Sequence, residues 1–178
     1  MNGADRHALL QIARNHMIAH LGGAAAAEPS LVGELGRHAA GFVTLFRAGT
    51  LRGCIGRIEA DRPVARVIAQ CAVAVCTEDP RFPPVTWGEL PELRIELSVL
   101  GVFEELAAPD GIEIGRHGLM VELGRRKGLL LPQVATEWNW DAQTLLDQTC
   151  LKAGLSVEAW RQGATLWRFE AEVFGEEP

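Results

Sequence analysis

The chain has 178 residues, of which 48% are hydrophobic and 22% are charged, as is usual for a protein with one folded domain. No apolar run approaches the roughly 18 residues that a membrane span requires, so we expect a soluble protein. The net charge of −6 argues against a general nucleic-acid binder, since such proteins neutralise phosphates with Lys and Arg.

The amino terminus and the four cysteines indicate a reducing compartment. The first 23 residues contain scattered His and Arg and no uninterrupted apolar stretch, so we expect an untargeted, cytoplasmic protein. The cysteines stand at positions 54, 71, 76 and 150, form no CxxC pair and match no zinc-site spacing. We therefore expect reduced thiols and no metal site, and the residues identify no cofactor.

The first part of the chain predicts a helix, a β-hairpin and a second helix. Apolar residues at helical spacing predict a helix over residues 5–21, which two glycines end. Short apolar runs separated by a glycine-containing turn predict strands over residues 41–47 and 51–58. The helix predicted over about 63–76 follows this hairpin directly.

A proline-rich stretch, EDPRFPPVTWGELPEL, comes after the second predicted helix. Its prolines fix the backbone, so residues 79–84 are predicted to form a rigid loop that presents Arg81. A rigid arginine loses less entropy when it binds an anion, although a stiff loop is also a common connector. Thr86 and Glu89 match a capping box and predict one short helical turn, which Pro91 ends.

The rest of the chain predicts strands and one further helix. Alternating apolar and polar residues predict a half-buried strand over residues 93–99. The later elements are strands at about 117–123 and 128–131, a helix capped by Asp141 that continues to Ala153, and a final strand over 165–174.

The order of these elements indicates an α+β fold with an internal duplication. Strands come in adjacent runs without regular β–α alternation, which favours a mainly antiparallel sheet with flanking helices. The stretches GRHAAGFVTLFRAGTLRGCIG and GRHGLMVELGRRKGLLLPQ share Gly-Arg-His, a strand, a basic turn with glycine and a second strand. We therefore predict two copies of one unit over residues 36–76 and 115–153, with His38 and His117 at equivalent positions.

The stretch LRGCIG places an arginine and a cysteine on one face of a predicted strand. Arg52 and Cys54 project to the same side, while Gly53 allows the backbone to bend or to approach another group closely. A guanidinium beside a thiol can create a nucleophile, whereas a bent strand with a small buried cysteine gives the same pattern. Five arginines against two carboxylates in residues 41–76 suit a small anionic ligand.

The motifs LRGCIG (residues 51–56) and DPRFPP (residues 79–84) resemble the signatures of the AMMECR domain family. This resemblance covers nearly the whole chain and implies one domain over residues 1–178, with a larger and a smaller lobe as the alternative. It implies two repeats around one barrel-like sheet. It also implies a role in the AmmeMemoRadiSam system beside a Memo-like protein and a radical S-adenosylmethionine enzyme, but it supplies no reaction.

The residues leave an enzyme and a binding subunit open. An enzyme would use Cys54 as a nucleophile, activated by Arg52, on a small anionic substrate. A binding subunit would hold a small anionic ligand without a thiolate, and a nucleic-acid-linked regulatory module is a weaker third alternative. We favour the binding subunit, because neither motif supplies a base for the cysteine. The predicted ligand-binding residues are Arg52, Gly53, Asp79, Arg81 and His117.

Overall fold

The computed structural model describes residues 1–177 as an α+β fold with antiparallel sheets. The helices are α1 (Gly3–Leu21), α2 (Val64–Thr77), α3 (Pro132–Glu137) and α4 (Ala142–Lys152). The strands are β1 (Gly41–Arg47), β2 (Thr50–Arg57), β3 (Leu93–Leu100), β4 (Glu104–Leu106), β5 (Gly118–Leu123), β6 (Arg126–Leu130), β7 (Thr165–Phe169) and β8 (Ala171–Gly175). They form two compact units, the first from Met1–Leu100 and the segment after Ala171, and the second from Gly101–Ala171.

The first unit packs two helices against a four-stranded sheet with the order β2–β1–β3–β8. Strand β1 is antiparallel to both β2 and β3, and its register places Thr44 between Cys54 on β2 and Glu96 on β3. The apolar residues of α2 recur at helical spacing, which buries Val67, Cys71 and others in the core. This sheet positions the motif that contains Cys54.

The second unit has its own antiparallel sheet, with the order β4–β7–β5–β6. Helix α4 contributes Leu145, Leu146 and Cys150 to a core shared with β5 and β6. The predicted cap of this helix is confirmed, because Asp141 Oδ1 accepts a hydrogen bond from the Thr144 backbone N–H at 2.7 Å.

Most of the predicted elements are confirmed with small changes at their ends. Strands β1 and β2 and helix α2 follow the predicted hairpin and helix, and Thr86 and Glu89 form the predicted capping box at Trp87–Glu92. One strand and one α-helix of residues 1–177 were not predicted. Strand β4 has only three residues, too few to show alternation, and α3 begins at Pro132, two residues after β6 ends. Because the strand and the helix are so close together, the sequence between them has no stretch of loop-forming residues that would mark the boundary.

The predicted single sheet is not what the chain forms. Residues 165–174 were predicted as one strand, but Glu170 separates β7 in the second sheet from β8 in the first. The backbone carbonyl of Glu170 accepts a hydrogen bond from Gly101 N–H at 2.8 Å, outside either ladder. Apolar alternation continues across this break, so the sequence pattern did not reveal it. Residues 1–177 contain two sheets and no closed barrel.

Each unit contains a β-hairpin that a helix follows, namely β1–β2 with α2 and β5–β6 with α3 and α4. The duplication of residues 36–76 and 115–153 stays a prediction, which a superposition of the two segments would test. Over the part of the chain that the structure describes, the helices are too short or too polar to span a bilayer.

Candidate functional site

A buried carboxylate joins the two motifs of the first unit. Asp79 lies two residues after the end of α2 and is only 5% exposed. Its Oδ2 accepts hydrogen bonds from the Cys54 backbone N–H at 2.8 Å and from Arg81 Nη2 at 2.7 Å. Arg81 Nε and backbone N–H donate to Oδ1 at 2.9 and 3.1 Å. The sequence-predicted residues Cys54, Asp79 and Arg81 are thus neighbours.

These hydrogen bonds keep Asp79 ionised. The Arg81 guanidinium, followed by the backbone N–H groups of Cys54 and Arg81, holds the pKa of the Asp79 carboxyl well below its usual range. Burial acts in the opposite direction but is the weaker influence. Asp79 therefore acts as a fixed hydrogen-bond acceptor and is unsuited to carry a proton in a reaction near neutral pH.

Cys54 is the half-buried thiol of the site. Its Sγ accepts a hydrogen bond from Thr44 Oγ1 at 3.3 Å, across the β1–β2 pair. The other three cysteines are buried. Burial raises the pKa of the Cys71 thiol and of the Cys76 thiol to about 11 each. Only Cys54 is therefore placed to meet a small molecule from solvent.

Arg52 contacts a carboxylate of the loop and not the thiol. Its Nε donates to Glu89 Oε1 at 2.9 Å, and its Nη2 donates to Glu89 Oε2 at 3.3 Å and to the Pro84 carbonyl at 3.4 Å. Both side chains are mostly buried. The Arg52 guanidinium, with lesser help from Thr86, lowers the pKa of Glu89 to about 2. We expected Arg52 to activate the Cys54 thiol, but its guanidinium hydrogen-bonds to Glu89 and Pro84 and not to the thiol.

Gly53 faces the helix and not the open side of β2. A Cβ at this position would lie 3.1 Å from Val75 Cγ2 and 3.4 Å from the Val75 carbonyl oxygen. The missing side chain lets β2 approach α2 closely. Gly53 thus supports the site through packing, while its predicted role in ligand binding has no side-chain basis.

The aromatic ring of Phe82 lies near both arginines of the motifs. The Arg81 Cζ is 5.5 Å and the Arg52 Cζ 6.0 Å from the ring centroid. At these distances a guanidinium and an aromatic ring attract each other. The Phe82 ring therefore stabilises the observed positions of both guanidinium groups.

The expected excess of positive charge is neutralised in the folded chain. Arg47 and Arg52 lie within 4 Å of Glu92 and Glu89, which are distant in sequence. The other three arginines of residues 41–76 have carboxylates within the same distance, namely Arg57 with Asp61, Arg62 with Asp61 and Arg66 with Glu28. Local composition overstated the positive field, because it could not include carboxylates that folding brings in.

His117 is not part of the cluster around Asp79. It belongs to the second unit, where its residue is 4% exposed and its Nδ1 accepts a hydrogen bond from Glu113 N–H at 3.0 Å. Sequence reasoning included His117 and missed Thr44, which the hairpin register places opposite Cys54. The turn alone does not give this pairing. The register at the turn pairs Phe46 with Leu51, and an irregularity between Leu45 and Phe46 then shifts it by one residue, so that Thr44 faces Cys54.

Comparison with known proteins gives consistent matches. The family model described as AMMECR1 matches residues 10–174. A protein from Methanococcoides burtonii is 45% identical over 153 residues, covering 83% of this chain and 75% of that protein. A protein from Methanothermobacter thermautotrophicus is 46% identical over 143 residues, covering 76% and 74%. The crystal structure of uncharacterized protein PH0010 from Pyrococcus horikoshii is similar with a TM-score of 0.88 and 38% identity, covering 95% of this chain and 90% of that chain.

Proposed function

Since this chain belongs to the AMMECR1 family, of uncharacterised function, we propose its function from the site: the cluster around Asp79 binds a small polar ligand without transforming it. One observation carries this proposal. The buried Asp79 carboxylate fixes the backbone at Cys54 and the guanidinium of Arg81 side by side. A rigid pair of this kind provides pre-formed contacts for a ligand.

Arg81 supplies the directional donors of the proposed site. Asp79 accepts from its Nε and Nη2, which fixes the guanidinium plane, while 54% of the side chain remains exposed. Because the arginine is already ordered, a ligand that binds it loses less free energy to immobilisation. A planar guanidinium edge is suited to a carboxylate, phosphate or carbonyl oxygen.

The ligand would be held by hydrogen bonds more than by net charge. The charge of Arg81 is balanced by Asp79 and that of Arg52 by Glu89. Paired charges of opposite sign produce little field at a distance. We therefore expect modest affinity for simple anions and a preference for ligands whose oxygens match the geometry of the Arg81 edge.

The cellular role that fits such a site is that of an accessory subunit. We place the protein beside the Memo-like protein and the radical S-adenosylmethionine enzyme of the AmmeMemoRadiSam system, as a subunit that delivers or senses a ligand. Two features support binding over catalysis. In residues 1–177 the hydrogen bond to Cys54 Sγ comes from Thr44, and the contact of Asp79 with Cys54 is to the backbone N–H and not to the thiol. Neither group can take the proton of the thiol as a base.

An enzyme with Cys54 as its nucleophile is the second candidate. The contact that favours it is the hydrogen bond of 3.3 Å from Thr44 Oγ1 to Cys54 Sγ, because donation to sulfur stabilises a thiolate. Cys54 is also the most accessible of the four thiols. This candidate needs a base supplied by a substrate or a partner.

Changing Arg81 should weaken ligand recognition selectively. We expect inorganic phosphate or acetate to cause saturable shifts in the backbone amide NMR signals of residues 52–56 and 79–82. Arg81→Lys and Arg81→Gln should both weaken this binding by about tenfold, because a planar fork is required and not charge alone. Cys54→Ser should retain the affinity if the site binds without catalysing.

The matched control is Arg62→Gln, which removes another exposed, ion-paired arginine from the same unit. This change should leave the affinity for both probes unaltered. The proposal fails if neither probe shifts these signals saturably, or if Arg62→Gln weakens binding as much as Arg81→Gln.

A further inference from the structure

A cavity of about 230 Å³ lies wholly within the second unit. Strand β4 provides Glu104, strand β7 provides Arg168, and the turn before β5 provides Glu113 and His117. None of these residues takes part in the hydrogen bonds around Asp79. The cavity is therefore a separate candidate site, independent of the function proposed above.

His117 lines this cavity with a defined tautomer. Its Nδ1 accepts a hydrogen bond from the Glu113 backbone N–H at 3.0 Å, so the ring proton resides on Nε2. Within residues 1–177, His117 Nε2 has no hydrogen-bond partner, although the residue is only 4% exposed. His117 lines the cavity, so its Nε2–H group is the side-chain donor that this residue can offer to a ligand there.

This tautomer favours a hydrogen-bond donor over a metal ligand. A histidine that binds a metal through Nε2 usually donates its Nδ1–H to a carboxylate or carbonyl. Here Nδ1 faces a donor, the Glu113 N–H, which leaves Nε2 with a proton where a metal would need a lone pair. His117 is thus suited to an oxygen acceptor, such as a carbonyl group.

The charged side chains around the cavity favour a ligand without negative charge. Arg116 pairs with Glu170 at 2.7 Å and with Glu113 at 3.1 Å, and Arg168 pairs with Glu104 at 2.8 Å. Two guanidinium groups thus face three carboxylates. With a neutral imidazole the lining carries one net negative charge, which repels anions and attracts N–H donors and cations.

We propose that this cavity binds a small amide, neutral or cationic. The amide carbonyl oxygen accepts a hydrogen bond from His117 Nε2–H, and its N–H groups or a neighbouring ammonium face the carboxylates. The volume lies below the roughly 300–1,000 Å³ of pockets for drug-sized ligands, so the ligand has few non-hydrogen atoms. This binding is distinct from that of the cluster around Asp79, which has no histidine.

The test uses the complete chain labelled with ¹⁵N and three probes of similar size: glycinamide, acetamide and acetate. We expect saturable shifts of the His117 imidazole signals and of the backbone amides of Gly101 and Val102. Glycinamide should bind about fivefold more tightly than acetate, because its ammonium gains a partly exposed ion pair. Acetamide should lie between the two.

A charge substitution in the lining provides the second measurement. Glu170→Gln removes one exposed carboxylate and should abolish most of the preference for glycinamide over acetate. Glu105→Gln makes the same change on β4 outside the cavity and should leave the preference intact. The proposal is wrong if no probe saturates at His117, if acetate binds most tightly, or if Glu105→Gln matches Glu170→Gln. None of these readouts involves Cys54 or Arg81, so they separate this proposal from the first.

Discussion

Asp79→Asn should lower the free energy of unfolding by about 2 kcal/mol, because it replaces a buried carboxylate whose hydrogen-bond donors would lose their acceptor. The carboxylate accepts hydrogen bonds from the Cys54 backbone N–H and from three donors of Arg81, namely its backbone N–H, Nε and Nη2. An asparagine has a single acceptor oxygen, and its NH₂ group would face the donors of Arg81. Denaturant unfolding of both proteins measures the difference.

The matched control for this change is Asp61→Asn. Asp61 also accepts hydrogen bonds from an arginine, Arg57, at 2.8 and 3.1 Å, but its side chain is 49% exposed. Solvent screens an exposed pair, so we expect no measurable loss of stability. Equal losses for the two variants would contradict the structural role assigned to Asp79. A double-mutant cycle with Arg81→Gln should show coupling between positions 79 and 81.

The effect of Asp79→Asn should depend on pH in a defined direction. Asp79 has a depressed pKa in the folded chain, so its contribution is present above the ordinary value of 3.8. As pH falls below that value, the unfolded chain binds the proton first and the contribution is progressively lost. The stability difference between wild type and Asp79→Asn should therefore be constant near neutral pH and shrink in acid. A difference that grew on acidification would contradict the shift.

Features governed by neighbouring residues were predictable from the sequence. The hairpin of β1 and β2 is encoded by short apolar runs and a turn at Ala48 and Gly49, both of which adopt positive φ. The capping box of Thr86 and Glu89 is likewise local. The proline-rich loop predicts a rigid support for Arg81, and this rigidity stays a prediction. The sequence did not reveal Asp79 as the group that binds the Arg81 guanidinium.

Features that depend on distant residues were not predictable from local patterns. Arg52 lies two residues from Cys54 on one face of β2, yet Glu89, far along the chain, binds its guanidinium. An extended strand shows which side a residue takes but not which partner folding brings to it. The division of residues 165–174 between two sheets at Glu170, and the position of His117 in the second unit, likewise depend on contacts between distant residues.

These contacts change what the motif around Cys54 is expected to do. Arg52 stabilises the loop through Glu89, and Asp79 aligns the backbone at Cys54 with Arg81. The motif thus resembles a scaffold for an exposed arginine and a thiol more than an activated nucleophile. The reactivity of the thiol distinguishes the two functions, because only the enzyme requires a thiolate.

Cys54 should react with iodoacetamide at pH 8 about 100-fold faster than Cys71 or Cys76, whose pKa values of about 11 leave little thiolate. Peptide mass spectrometry of each cysteine measures the rates.

Thr44→Val should slow the reaction of Cys54 by about threefold, because the hydrogen-bond donor to the sulfur is lost. Thr44→Ser retains the hydroxyl and should retain the rate. Arg52→Gln should have little effect, because Arg52 binds Glu89; a strong decrease would restore its role as activator. If Cys54 reacts faster than the thiol of a free peptide, the binding-only function is contradicted.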